Sequence, residues 1–142
     1  MSRSASAILF DLDGTLLNSV EDLASSMNRI LDEDGLPTHD VPAYQLFIGG
    51  GARKLVWNAL PEDRRPETDA YLARFRTIYR DNLVVKTAPY PGIAELLDVL
   101  SGRGLPMAIL SNKPDEMTQI LVQHFFGAHA WRAVAGAREG EA

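Results

Sequence analysis

The chain predicts an α/β fold, a parallel-sheet core interrupted early by a helical insertion, and three observations carry that prediction. A short apolar run from Ala7 to Phe10 ends in Asp11-Leu12-Asp13-Gly14, the pattern of a buried parallel strand closed by a turn. Apolar residues then recur at helical spacing, and after Pro91-Gly92 a strand and helix alternation returns. These shifts divide the chain into an α/β core, residues 1–17 and 86–142, and a helical insertion over 18–85.

Each element follows from local chemistry. Ile8 to Phe10 supply the strand, and Gly14 lets the backbone break sharply past its carboxyl end. Ser19 and Asp22 form a candidate capping pair for a helix with Leu23, Met27, Ile30 and Leu31 on its face and Gly35 as its stop. Further helices are expected over Ala52 to Leu60 and Glu67 to Val84, the second carrying Leu72, Phe75, Tyr79 and Leu83. No strand is expected among them. Two prolines and a glycine make the stretch from Thr87 to Gly92 a return linker. A helix from Ile93 to Leu100 with Gly102 and Gly104 as stops leads to a buried strand, Met107 to Leu110, ending in Ser111-Asn112. Pro114 suits a helix start, and Met117, Ile120, Leu121 and Phe125 give that helix its apolar face. Trp131 to Val134 is a third strand, and the residues from Gly136 to Ala142, without apolar periodicity, form a loose end.

Composition bounds the function. Hydrophobic residues at 46% and charged residues at 23% describe a folded globular chain, without repeats or low-complexity tracts. A net charge of -5 with scattered Lys and Arg gives no footprint for nucleic acid or an anionic membrane surface, so an anionic substrate must be held locally. The absence of cysteine excludes disulfides and thiol catalysis. No apolar stretch is long enough for a signal peptide or a membrane span, which makes the cytoplasm the expected compartment. His39, His124 and His129 lack the spacing of a zinc set. Trp57 and Trp131 lie among apolar neighbours and are expected to pack in the core.

The strand-end carboxylates carry the chemistry. Asp11 and Asp13 stand two residues apart, so extended geometry through Asp13 would turn both to one side, where one can attack and the other move protons. An Asp-x-Asp-Gly cluster is also an ordinary polar turn, but a calcium loop is excluded because Leu16-Leu17 stand where its polar ligands must continue. Ser111-Asn112-Lys113 follows a buried strand and precedes a helix, where backbone N–H groups, a hydroxyl and an amide can hold phosphate; alone, the same residues read as a helix cap. Gly49, Gly50 and Gly51 precede Ala52-Arg53-Lys54, a flexible tip with positive charge that does not match a dinucleotide fingerprint.

The string from Ile8 through Asp-Leu-Asp-Gly-Thr-Leu-Leu-Asn-Ser resembles motif I of the haloacid dehalogenase (HAD) superfamily, and Leu-Ser-Asn-Lys-Pro resembles its motif II. The resemblance implies a Rossmann-like HAD core with a helical cap inserted after motif I, as in phosphatases of the phosphoglycolate phosphatase type. It implies Asp11 as nucleophile, Asp13 as acid and base, and magnesium bound by Asp11 and the backbone carbonyl of Asp13. Ser111 would grip the phosphoryl group and Asn112 the substrate, with Arg53 and Lys113 as further substrate contacts. An acid at position 13 suits a phosphatase or a phosphomutase better than a dehalogenase. The implied substrate is a small phosphorylated metabolite such as phosphoglycolate; the particular ester and the oligomeric state stay open. The family's motif III lysine and motif IV acids have no match, since Glu139 and Glu141 lack an apolar strand to aim them. The sequence therefore resembles the N-terminal portion of such an enzyme. The expectation is low turnover and self-association through an open sheet edge, and the alternative function is an inactive fragment that only folds, binds or associates.

Overall fold

The computed structural model describes residues 6–138. The chain divides into two compact units, Ser19–Thr87 and a second made of Met1–Asn18 with Ala88–Ala142.

The first unit is helical: α1 (Val20–Glu33), α2 (Val41–Phe47), α3 (Ala52–Ala59), a 3-10 segment (Glu62–Glu67) and α4 (Thr68–Asp81). Helix α1 packs on α2 and α4, and α3 packs on α2 and α4. Leu23, Met27, Ile30 and Leu31 of α1 are buried with Leu55 and Val56 of α3 and with Leu72, Phe75 and Tyr79 of α4. Leu83 joins this core from beyond the end of α4. Helix α2 was not expected. Its Pro42 sits in the first turn, where a missing N–H costs nothing, and Asp40 caps it by accepting from the Ala43 N–H. Asn28 braces this region: its side chain donates to the His39 carbonyl at 2.7 Å and accepts from the His39 N–H and the Tyr44 hydroxyl. Burial raises the Tyr44 hydroxyl pKa above its usual value.

Asp22 departs from its expected capping role. Ser19 makes no side-chain cap at the start of α1. The buried Asp22 carboxylate instead accepts from the N–H groups of Val85, Lys86 and Thr87 and from the Thr87 hydroxyl, at 2.6 to 3.1 Å. One side chain thus ties the segment leaving the helical unit to the helix that enters it. Trp57 is likewise not core: it is 45% exposed, with the Arg65 guanidinium 3.8 Å from its ring centroid.

The second unit is α/β. It contains β1 (Ile8–Phe10), β2 (Leu17–Asn18), β3 (Ala88–Pro89), α5 (Ile93–Gly102), β4 (Met107–Pro114), α6 (Asp115–Phe126) and β5 (Trp131–Ala137). Strands β1, β4 and β5 form a parallel sheet in the order β1-β4-β5, with Phe10 opposite Ile109 and Ile109 opposite Val134. Strands β2 and β3 make a two-residue antiparallel ribbon. Along β4, Met107, Ile109, Ser111 and Lys113 are buried while Leu110 and Asn112 are exposed. The register puts Leu9 on the same face as Leu110, and these two apolar side chains are 65% and 55% exposed.

Two expected boundaries are corrected. Strand β4 does not end at Ser111-Asn112 but runs through Lys113 to Pro114, because β5 continues to pair with it as far as Ala137. For the same reason Gly136 and Ala137 are strand and not a loose end. Gly136 lacks periodicity because it is chosen for space: a Cβ there would lie 2.5 Å from the Lys113 carbonyl oxygen and 2.6 Å from Thr118 Oγ1. Residues 139–142, with Glu139 and Glu141, lie outside the described residues. Among the described residues no helix is long and apolar enough to cross a membrane.

Candidate active site

The segment after β1 is a tight turn whose geometry the sequence dictates. Gly14 adopts φ +77°, a region that L residues rarely enter. The Leu12 carbonyl accepts from the N–H groups of Thr15, Leu16 and Leu17, and the Leu17 carbonyl accepts from Gly14. Leu12, Leu16 and Leu17 are fully buried. Apolar anchors therefore fix both ends of the turn, while Asp11, Asp13, Gly14 and Thr15 stay at least partly open to solvent.

Asp11 is exposed immediately past β1, and its Oδ1 accepts from the Leu12 N–H at 2.8 Å. Asp13 points to the neighbouring strand: its Oδ2 lies 3.2 Å from Lys113 Nζ, with the Lys113 side chain 3% exposed and that of Asp13 17% exposed. Because Phe10 pairs with Ile109, Asp11 follows the last residue of β1 and Ser111 lies in the carboxyl-terminal half of the adjacent β4, on the side of the sheet where ligands of open α/β sheets bind. Ser111 is buried, and its hydroxyl oxygen accepts from the Lys113 N–H at 3.1 Å, which leaves the hydroxyl proton to donate. Asn112 is exposed on the opposite side of β4. Asp115, the first residue of α6, accepts from the Gly136 N–H at 2.8 Å and from Gln119. The Gly136 hydrogen bond, the larger influence, and that from Gln119 hold its carboxyl below the ordinary carboxylate pKa.

The structure thus joins Asp13 to Lys113 and places Asp11 just past the end of β1 and Ser111 in the carboxyl-terminal half of the neighbouring β4. Arg53 belongs to the helical unit, where its guanidinium pairs with Asp69 at the surface. The three glycines before it link α2 to α3, with Gly49 and Gly51 at φ +104° and +92°. His39 Nε2 lies 2.8 Å from the Ala59 carbonyl, and His129 lies near Ser101 and Asp98. The Lys113–Asp13 pair escaped sequence reasoning, although a signal existed. Met107, Ile109, Ser111 and Lys113 follow the two-residue period of one strand face.

The donor set can be tested against magnesium. No group of three or more His, Cys, Asp or Glu side chains is arranged to hold a metal among the described residues. Magnesium does not require one: it takes one or two carboxylates, keeps waters and completes its shell with substrate phosphate oxygens. The exposed Asp11 carboxylate beside the turn offers the hard oxygen chemistry that this ion prefers.

The family model of haloacid dehalogenase-like hydrolases matches residues 8–141, from the start of β1 to the penultimate residue. The chain belongs to this family. A phosphoglycolate phosphatase of Aquifex aeolicus is 40% identical over 112 residues, covering 79% of this chain and 51% of that protein. One from Neisseria meningitidis serogroup A is 33% identical over 135 residues, covering 92% of this chain and 57% of the relative. The crystal structure of a predicted phosphoglycolate phosphatase from Haemophilus somnus superposes with a TM-score of 0.78 at 32% identity, over 92% of this chain and 62% of its own. This HAD chain therefore spans about half the length of the curated relatives it matches. Its α/β unit with an early helical unit is the HAD type of fold.

Proposed function

We propose that this chain carries the nucleophile and the acid–base carboxylate of a magnesium-dependent phosphatase acting on a small phosphorylated metabolite. One observation carries the reading: Asp11 and Asp13 leave β1 on a rigid turn, beside the strand end that holds Ser111 and Lys113. The relatives described as phosphoglycolate phosphatases support a phosphorylated acid of that class as substrate.

In this mechanism an Asp11 oxygen attacks phosphorus and the bond from phosphorus to the substrate oxygen breaks, leaving an aspartyl-phosphate. Asp13 gives its proton to the departing oxygen. Water then attacks the same phosphorus, the Asp11–phosphorus bond breaks, and Asp13 takes the proton that the water loses. Ser111 donates a hydrogen bond to a non-bridging phosphoryl oxygen, and the Lys113 ammonium contributes positive charge in a buried setting. Magnesium, held through Asp11 and the Asp13 backbone carbonyl, would supply charge neutralisation between the anionic nucleophile and the anionic ester. The helical unit is assigned as a cap, with Arg53 exchanging Asp69 for the substrate carboxylate.

The test is an assay, with magnesium and a panel of phosphate esters, of a version of the chain extended to the full length of its relatives, beside Asp11→Asn and Asp13→Asn in that version. Asp11→Asn should reduce turnover by roughly 10⁴-fold or more, the scale seen when a nucleophile is removed. Asp13→Asn should slow release of alcohols more than release of p-nitrophenol, a good leaving group that needs little protonation. Turnover near wild type in Asp11→Asn would overturn the assignment.

A further inference from the structure

We propose that Asp22 is the staple of a two-crossing hinge: it makes the points where the chain enters and leaves the helical unit move together, with the pivots at Asn18–Ser19 and Thr87–Ala88. This role does not depend on the phosphatase reading.

The chain passes between its two compact units twice, from Asn18 to Ser19 and from Thr87 to Ala88. Just inside the helical unit, one buried carboxylate joins the two crossings. Asp22 Oδ2 accepts from the N–H groups of Val85, Lys86 and Thr87 at 3.1, 3.0 and 2.8 Å and from the Thr87 hydroxyl at 2.6 Å, and Oδ1 accepts from the Lys86 N–H at 3.0 Å. A tie at the surface runs alongside, with Lys86 Nζ 3.5 Å from Glu21 Oε2. Residues 85–87 belong to no helix or strand, and Val85 and Lys86 are exposed. What holds this segment is therefore the carboxylate. Bonds to an ionised acceptor are the strong kind, and several convergent donors leave it little freedom.

On the α/β side of the same crossings the tie is weaker. Leu17 pairs with Pro89 and Asn18 with Ala88 in a ribbon of two residues per strand, and Pro89 has no N–H to give. Between staple and ribbon lie the Asn18–Ser19 and Thr87–Ala88 links. A unit carried on two independent links can shear, because each link bends by itself. Stapled together, the two must bend as a pair, which leaves rotation about the line through both as the soft motion. Hinges are a few loop or element-terminal residues that absorb the backbone change. These four fit that description, since Asn18 ends β2, Ser19 precedes α1, Thr87 precedes β3 and Ala88 begins it.

The chain has no cysteine, so spin labels can be placed at chosen sites in the full chain. With labels at Gln45→Cys in α2 and Gln123→Cys in α6, both exposed positions, pulsed electron–electron double resonance reads the spread of distances between the units. Asp22→Asn should widen that spread about twofold and Thr87→Val should widen it less. Phe75→Leu, which loosens the helical core away from the staple, should leave the wild-type width. In native-state amide exchange of the unlabelled wild type, residues 85–87 should open together with α1 and with the same denaturant dependence. In Asp22→Asn they should exchange at least roughly tenfold faster while Leu55 and Val56 stay protected. A wild-type spread in an Asp22→Asn chain whose 85–87 amides are freed would overturn the proposal, as would equal widening in Phe75→Leu, which would make the effect one of general stability. Residues 85–87 opening independently of α1 in the wild type would overturn it without any variant. If Asp22→Asn does not fold, Thr87→Val decides: it removes the 2.6 Å bond and keeps the carboxylate, and unchanged spread with unchanged exchange there overturns the proposal equally.

Discussion

The two units use their polar side chains differently. In the helical unit, polar groups bind the unit to itself: the buried Asp22 to the 85–87 segment, the half-buried Asn28 to His39 and Tyr44, and the exposed Asp34 to Tyr71 and Arg74. Around them lies an apolar core drawn from α1, α3 and α4. In the α/β unit the buried polar groups Ser111 and Lys113 gather at strand ends beside Asp11 and Asp13, while Leu9 and Leu110 stay exposed on one face of the parallel sheet. Parallel sheets ordinarily have both faces covered. The contrast separates stability from chemistry: substitutions in the helical unit should be read in unfolding experiments, and those at the strand ends in turnover.

The largest stability effect is expected at Phe75, which is fully buried and stacks on Tyr79 with ring centroids 5.4 Å apart. Phe75→Ala should destabilise the chain by about 3–5 kcal/mol in denaturant unfolding, through lost burial and the cavity left behind. Asp22→Ala should follow at roughly 2–3 kcal/mol, since it strips a charged acceptor from several backbone N–H groups at once. Faster amide exchange at residues 85–87 would identify the cause. Unchanged exchange there would mean that the carboxylate does not hold that segment.

Acid sharpens the comparison further. Hydrogen bonds from Arg74, first, and from Tyr71 hold the Asp34 carboxyl at about 2, below its ordinary 3.8. Stability from this depressed group is complete above the unfolded value and is lost as pH falls through the folded one. The stability gap between wild type and Asp34→Asn should therefore narrow as pH drops from about 4 to about 2. A constant gap would contradict the cluster. The smallest effect belongs to the open sheet face. Leu110→Asp should change stability by about 0.5 kcal/mol or less, as exposed sites do, and a larger loss would show that this face is covered in solution.

What could be read from the sequence depended on how far each signal ran. Helices α1 and α4 declared themselves because Leu23, Met27, Ile30 and Leu31, and Leu72, Phe75 and Tyr79, sustain a helical period over several turns. Strand β1 and its turn were legible because an apolar run meets Asp-x-Asp-Gly. Helix α2, at seven residues, was hidden because Pro42 reads as a breaker unless its place in the first turn is known. The two-residue ribbon of β2 and β3 is too short for any pattern. At the site, Asp11 and Asp13 were legible as groups just past a strand end and Ser111 as a polar residue following an apolar strand run, whereas the Lys113–Asp13 pair depends on β4 continuing past Ser111 through Lys113 and on β5 reaching Ala137. That continuation rests on the closeness of Gly136 to the Lys113 carbonyl, a tertiary fact that a glycine near a chain end does not announce.

The central claim is that Asp11 is the group that accepts phosphorus. The most direct measurement incubates the chain with p-nitrophenyl phosphate and magnesium, reduces any acyl phosphate with borohydride, and maps the modified residue by peptide mass spectrometry. The account predicts conversion of Asp11 to homoserine, absent in Asp11→Asn and dependent on the ester. Product release with no modification at Asp11, or with modification at another carboxylate, would contradict it.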